Sequence, residues 1–276
     1  MNNLGKLAVV GGLIASLIYP GRLQEQVKLD VETSVFDDAT CEDIFGKMYG
    51  RVALFNSHVA AYYYWKISEM KGEIGRDNVL VLVDAHPDCE DGLKRNLPVF
   101  KSDKPLEEKI KDFKEYFLDL YTYHPGKEIQ PLIHCANFIW AGVEDGLIQE
   151  VYWIVPNMQV EHAGRFFKNP FVFYDGKKIP FHIRTLETLE YLDIENVLLT
   201  VDLDYFYFGV FNDVKSGKIK MDLFSNYLPG FFRELKIKIG NVKGVIPAAT
   251  TKGLFGLTPK EQGSLEKVVV RELQKF

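Results

Sequence analysis

One pattern constrains this chain more than any other, and it occurs twice: an unbroken apolar run that ends in an aspartate. Asn78 to Asp84 reads NVLVLVD, and Asn196 to Asp202 reads NVLLTVD. A strand with one wet face alternates apolar and polar residues. A run without alternation is buried on both faces, the signature of a parallel sheet covered by helices. Arg51 to Phe55 (RVALF), Glu150 to Val155 (EVYWIV) and Lys243 to Ala248 (KGVIPA) read as further strands. Between them, Ala60 to Met70 reads as a helix. Pro105 to Tyr121 is an amphipathic helix with Leu106, Ile110, Phe113, Phe117 and Leu120 near one face, capped by Ser102 or Asp103. Leu223 to Leu235 is helical but interrupted by Pro229 and Gly230. Thr258-Pro259-Lys260-Glu261 is a capping box that opens a terminal helix. Strands and helices in alternation predict a three-layer α/β/α fold with a mainly parallel sheet. With no repeat or low-complexity linker, residues 1–276 read as a single domain.

Composition narrows the partners. Apolar residues make up 47% and charged residues 26% of the chain, enough for a full core without covalent staples. A net charge of −5 with no broad basic patch leaves no electrostatic footprint for nucleic acid. Cys41, Cys89 and Cys135 are odd in number and irregular in spacing. They read as reduced thiols of a cytoplasmic protein rather than a disulfide framework or a zinc cluster. The uncharged stretch LAVVGGLIASLIY at residues 7–19 is too short to cross a bilayer as a helix, and Gly11 and Gly12 weaken a helix there. Two readings of it stay open: an N-terminal packing segment or strand, and a signal or anchor giving weak membrane association.

The chemistry-bearing residues gather where the apolar runs end. Asp84-Ala85-His86-Pro87-Asp88 follows the first run, and Asp202-Leu203-Asp204 closes the second. Side chains two apart on a strand share a face, so Asp84 and His86 aim at one point, and so do Asp202 and Asp204. Carboxylates this close repel when ionised in a dry site, and a cation between them removes that cost. Ligands of parallel sheets collect beyond the carboxyl ends of the strands, where both clusters lie. The four aspartates balance two divalent ions, with His58 and His86 as neutral nitrogen ligands. An oxygen-rich set with some imidazole suits manganese or magnesium, manganese first, with zinc and iron as alternatives.

These motifs resemble those of the arginase and deacetylase superfamily of metallohydrolases. VDAHPD at 83–88 resembles the Asp-Ala-His-x-Asp signature of arginases and agmatinases. TVDLDYF at 200–206 resembles their later Asp-x-Asp strand end, and NSH at 56–58 their upstream histidine. Tyr152-Trp153 adds a resemblance to an uncharacterised branch of the superfamily. The likeness spans roughly residues 50 to 255 through short motifs. It implies an arginase-like fold in which Asp84 and Asp202 bridge two metals, His58 and Asp88 complete one ion, and His86 and Asp204 the other. Homo-oligomers are common in this superfamily.

The departures are specific. Tyr205, Phe206, Tyr207 and Phe208 follow Asp204 where arginases carry a further Asp-Pro, and Phe55-Asn56-Ser57 replaces a glycine-rich context. No glutamate is placed to anchor a guanidinium, which points away from arginine and agmatine as substrates. The tandem histidines of single-zinc deacetylases are absent. The expectation is a binuclear-metal hydrolase that cleaves a C–N bond, amide or amidine, of a small molecule by hydroxide generated on the ions. His134 and Asn137 in LIHCANFIW are the candidate catalytic residues, for proton transfer or substrate hydrogen bonding. The competing expectation is a non-catalytic, metal-stabilised binding or scaffold protein of the same fold.

Overall fold

The computed structural model describes residues 44–89, 93, 96–122, 131–157, 160, 163, 171–174, 177–192, 194–206, 221–249 and 258–276. The strands are β1 (Lys47–Tyr49), β2 (Val52–Phe55), β3 (Asn78–Val83), β4 (Ile148–Ile154), β5 (Phe171–Tyr174), β6 (Lys177–Arg184), β7 (Val197–Asp202) and β8 (Ile246–Ala249). The helices are α1 (Ala60–Met70), α2 (Leu106–Tyr121), α3 (Phe138–Glu144), α4 (Met221–Ile239) and α5 (Pro259–Leu273). The eight-stranded sheet has the order β1-β2-β8-β7-β3-β4-β6-β5. From β2 to β6 every neighbouring pair is parallel, and only the edge strands β1 and β5 run antiparallel.

The two apolar runs are central and adjacent. Every residue of β3 and β7 is buried, as their lack of alternation requires. Leu80 and Leu82 of β3, with Leu198 of β7, face one core, which α1, α2 and α3 cover. Val81, Val83, Val197, Leu199 and Val201 face the other, which α4 and α5 cover. The result is the expected three-layer α/β/α arrangement, and the described residues fall within one compact unit, Asp43–Phe276.

Two local expectations are corrected. Helix α2 starts at Leu106 with Pro105 at the cap position and no side-chain cap. Ser102, expected to cap it, instead donates its hydroxyl to Asp112 Oδ2 at 3.1 Å. Helix α4 runs unbroken through Pro229. An interior proline costs a helix about 3 kcal/mol. Leu228, Phe231, Phe232, Leu235 and Ile239 of the same helix are all buried, and each contributes about 2 kcal/mol or more. Packing therefore outweighs the lost hydrogen bond. Tyr205 packs tilted and Phe206 edge-on against Phe231, each with centroids 5.2 Å away, so both belong to the core. Tyr207 and Phe208, Cys41 and the stretch 7–19 lie outside the described residues. Among the described residues no helix is long and apolar enough to cross a membrane.

Gly46 precedes β1 at φ +57°, and a Cβ there would come within 1.9 Å of the Leu54 carbonyl oxygen. Gly263 lies inside α5 with open space where a Cβ would stand. Gly46→Ala is expected to lower the unfolding free energy by about 2 kcal/mol or more. Gly263→Ala is expected to raise it by up to about 1 kcal/mol. Urea denaturation of the two variants measures both, and a loss at Gly263 would contradict the reading.

Candidate metal centre

Strand register brings the acids together. Val83 of β3 pairs with Val201 of β7, so Asp84 and Asp202 sit side by side where the two strands leave the sheet. Both face the core beneath α1 to α3, because Leu82 and Leu198 do and side chains repeat every second residue. His58 comes from beyond β2, which β8 separates from β7. Ala249 of β8 is level with Asp202, and its small side chain leaves room on that face for the imidazole.

Two groups of ligand atoms result, each with its atoms within 4.8 Å of one another: His58, Asp84 and Asp88, and Asp84, His86 and Asp204. In the first, His58 Nδ1 is 2.9 Å from Asp84 Oδ2, 2.7 Å from Asp88 Oδ2 and 3.7 Å from Asp202 Oδ2. In the second, His86 Nδ1 is 2.7 Å from Asp204 Oδ2 and 3.7 Å from Asp84 Oδ1. Asp84 belongs to both. All six residues expected to ligate metal therefore converge, with Asp202 beside the first group.

The local chain is shaped for this. Asp88, after Pro87, adopts a left-handed φ of +48°, a conformation that aspartate tolerates better than most residues. That turn returns its carboxylate to His58. Asp84 Oδ1 accepts the His86 amide at 2.6 Å, and Asp202 Oδ1 accepts the Asp204 amide at 3.0 Å. Asp204 Oδ1 accepts the Ala85 amide at 3.2 Å, tying one cluster to the other. One oxygen of each of these three aspartates is thus held by a backbone amide, and for Asp84 that oxygen, Oδ1, is also the one nearest His86 Nδ1.

The first group fits a cation. His58 Nδ1, Asp84 Oδ2 and Asp88 Oδ2 are buried and have no aligned hydrogen-bond partner among the described residues, although they approach to 2.7–2.9 Å. All three lie close enough together to share one ion. Donors that share one octahedral ion at about 2.1 Å stand about 3 Å apart. The other ring nitrogen, His58 Nε2, lies 2.7 Å from Thr200 Oγ1. With its proton on Nε2 toward that hydroxyl, the ring turns the Nδ1 lone pair to the three carboxylates, as a metal-ligating histidine must.

Electrostatics says the same. Burial alone would lower the pKa of His58, but the Asp88 and Asp84 carboxylates override it and raise it well above the usual imidazole value. His86 is raised likewise, by Asp204 and Asp84 against burial. Burial raises Asp88, Asp202 and Asp204, and neighbouring carboxylates raise them further. Burial would raise Asp84 too, but the two histidines hold it below the usual carboxylate range. Without cations, the two histidines and Asp88, Asp202 and Asp204 are thus shifted toward their protonated forms and Asp84 toward its ionised one.

His134 and Asn137 sit on the loop before α3, which flanks the centre. Phe138 packs its ring on His58 with centroids 4.8 Å apart, and the Cys135 thiol is within electrostatic reach of Asp88, His86 and Asp202. Asn137 Oδ1 accepts the His134 amide at 2.8 Å, and its Nδ2 donates to the Leu132 carbonyl at 3.2 Å. Both ends of that side chain shape the loop. His134 is half-buried, and its Nδ1 accepts the Ala136 amide at 3.2 Å. His182 pairs with Glu150 at 2.7 Å on the sheet, and His124 and His162 lie outside the described residues. Cys89 is buried and Cys135 exposed. Thr200 is a site residue that pattern reading passed over. Its signal was present: a polar side chain inside an apolar run, two residues before Asp202 and so on the same face.

No protein-family model matches the chain, and no curated protein matches it significantly.

Thr200→Val keeps the shape and removes the hydroxyl, and manganese affinity is expected to fall about 10- to 100-fold by calorimetric titration. The metal-free centre also has a definite pH behaviour. The raised groups stabilise the fold below their unfolded values, about 3.9 for aspartate and 6.5 for histidine. That contribution is lost as pH rises through their higher folded values. Asp84 acts oppositely, losing its contribution only as pH falls through its lowered value. Cations replace the protons, so the Tm gain on adding manganese is expected to grow from pH 5 to pH 8. A gain that is constant or shrinks with pH contradicts competition between protons and ions.

Proposed function

We propose that this protein is a binuclear-metal hydrolase acting on the C–N bond of an amide or amidine in a small molecule, with manganese as the first choice of ion. The observation that carries this reading is the convergence of three buried ligand atoms, with Asp84 Oδ2 and Asp88 Oδ2 within 2.9 Å of His58 Nδ1 and without well-aligned hydrogen bonds, beside a second group that shares Asp84. The resemblance of VDAHPD and TVDLDYF to arginase-like motifs supports it. His58 and Asp88 would hold one ion, His86 and Asp204 the other, and Asp84 and Asp202 both. Bound there, two divalent ions would supply Lewis acidity toward the scissile carbon's substituent and acidify the water they share.

The chain's own groups then have distinct tasks. The four aspartates neutralise the ions, so the loaded centre is close to electrically neutral. His86, whose side chain is 43% exposed, marks the side open to a substrate. His134 keeps its neutral-form proton on Nε2, because Nδ1 is already accepting from Ala136. That makes Nε2–H a hydrogen-bond donor for the substrate or its departing nitrogen. Asn137 holds the loop that carries it.

One observation favours the non-catalytic alternative: the His58 group is buried in all its members, as a purely structural ion would require. Function and structure separate by experiment. Manganese-loaded protein is expected to carry about two ions per chain by elemental analysis. Asp84→Asn should lose both, Asp88→Asn or Asp204→Asn one each, and Asp202→Ala metal together with activity. Amides, acetylated amines and guanidino compounds are assayed for released amine, ammonia or urea. Full loading with no turnover across these classes would favour the scaffold reading, and a chain that binds no metal would overturn both.

A further inference from the structure

The loop that carries Asp84, His86 and Asp88 is gripped at both ends by indole N–H groups. Trp153 of β4 donates through Nε1 to the Asp84 carbonyl at 2.9 Å, and Trp140 of α3 donates to the Cys89 carbonyl at 3.1 Å. Both indoles are buried, at 3% and 2% exposure. Asp84 lies one residue beyond the last paired position of β3, and Cys89 lies in irregular chain, so neither carbonyl falls on a rung of the sheet. A buried carbonyl needs a donor, and here side chains supply it. The left-handed turn at Asp88 lies directly before the carbonyl that Trp140 holds. Two residues before Trp140, Phe138 packs on His58. One short helix therefore braces both the imidazole and the strained turn of the His58 group.

We infer that Trp140 and Trp153 are positioning residues of the metal centre, and this rests on the two-ion reading above. Trp153 holds the shared Asp84 against the sheet. Trp140 holds the Asp88 turn so that Oδ2 stays 2.7 Å from His58 Nδ1. Loss of the Trp140 donor therefore affects the His58 group selectively, and loss of the Trp153 donor affects both groups. The chain provides its own control. Trp65 is equally buried, at 1%, and its Nε1 has no hydrogen-bond partner among the described residues. It fills volume without gripping a ligand loop.

The test uses the full chain and manganese, read by calorimetric titration and by electron paramagnetic resonance. Trp140→Phe, and replacement of Trp140 by benzothienylalanine, which keeps the indole shape and lacks the N–H, are expected to weaken one of the two ions about 10-fold or more. The spin-coupled pair signal should give way to that of an isolated ion. Trp153→Phe should weaken both ions together, and Trp65→Phe should lower Tm while leaving both affinities unchanged. The benzothienyl protein decides the matter if Trp140→Phe does not fold. Unchanged affinities in the Trp140 proteins, or an equal loss in Trp65→Phe, overturn the positioning role while leaving the two-ion centre standing. Wild-type protein that binds no manganese overturns the centre itself.

Discussion

Four buried aspartates around shared histidines form the constraint on which the rest of the structure depends. Asp84, Asp88, Asp202 and Asp204 are each at most 8% exposed. Two like charges 4 Å apart repel by about 4 kcal/mol at an effective dielectric near 20. Several such pairs together rival the whole stability of a domain, about 5–15 kcal/mol. The cluster cannot stand fully ionised without positive charge inside it. Protonated histidines and protonated carboxylates are one answer, and divalent cations are the other. The donors suit the second: one oxygen each of Asp84, Asp202 and Asp204 accepts a backbone amide, and the Oδ2 atoms of Asp84, Asp88 and Asp202 gather 2.7–3.7 Å from His58 Nδ1.

The parallel sheet makes this crowding achievable. Adjacent strands in register deliver Asp84 and Asp202 to the same level, and the carboxyl ends of β3 and β7 are where the chain must leave the sheet and turn. The turns carry the remaining ligands, Asp88 through a left-handed backbone and Asp204 through the turn anchored by Tyr205 and Phe206 on α4. Beneath α1 and α2, rings of Tyr62, Tyr63, Phe113 and Phe117 interlock, and α3 packs Trp140 and Phe138 toward the centre. His58, Asp84, Asp88 and Asp204 are thus each braced by packed or hydrogen-bonded neighbours, which a polyvalent site needs, because ångström displacements change its affinity.

Much of this was legible in the chain. NVLVLVD and NVLLTVD identified the two central strands and the direction in which their acids point, because full burial erases alternation. The helices from Ala60, Pro105 and Thr258 were legible from apolar spacing and, for α5, from a capping box whose reciprocal bonds form between Thr258 and Glu261. Less legible were β1, β5, β6 and α3, short or mixed in composition and stabilised by edge pairing or packing. Pro229 misled in the other direction, since local propensity said break and the apolar face of α4 said continue.

For the centre, sequence alone determined the candidate ligand types and their order: a histidine after one strand, Asp-x-His-x-Asp after a second, Asp-x-Asp at the end of a third. Period-two geometry is a local property, so it could be read from spacing. The tertiary structure decided what spacing does not contain. It chose which strands are neighbours, so that His58 reaches past β8 to Asp84. It placed Thr200 on the far nitrogen of that ring and set Trp140 and Trp153 on the ends of the ligand loop. Those relations join residues 26 to 142 positions apart, from His58 and Asp84 to His58 and Thr200. Only packing, which no local rule encodes, could bring them together.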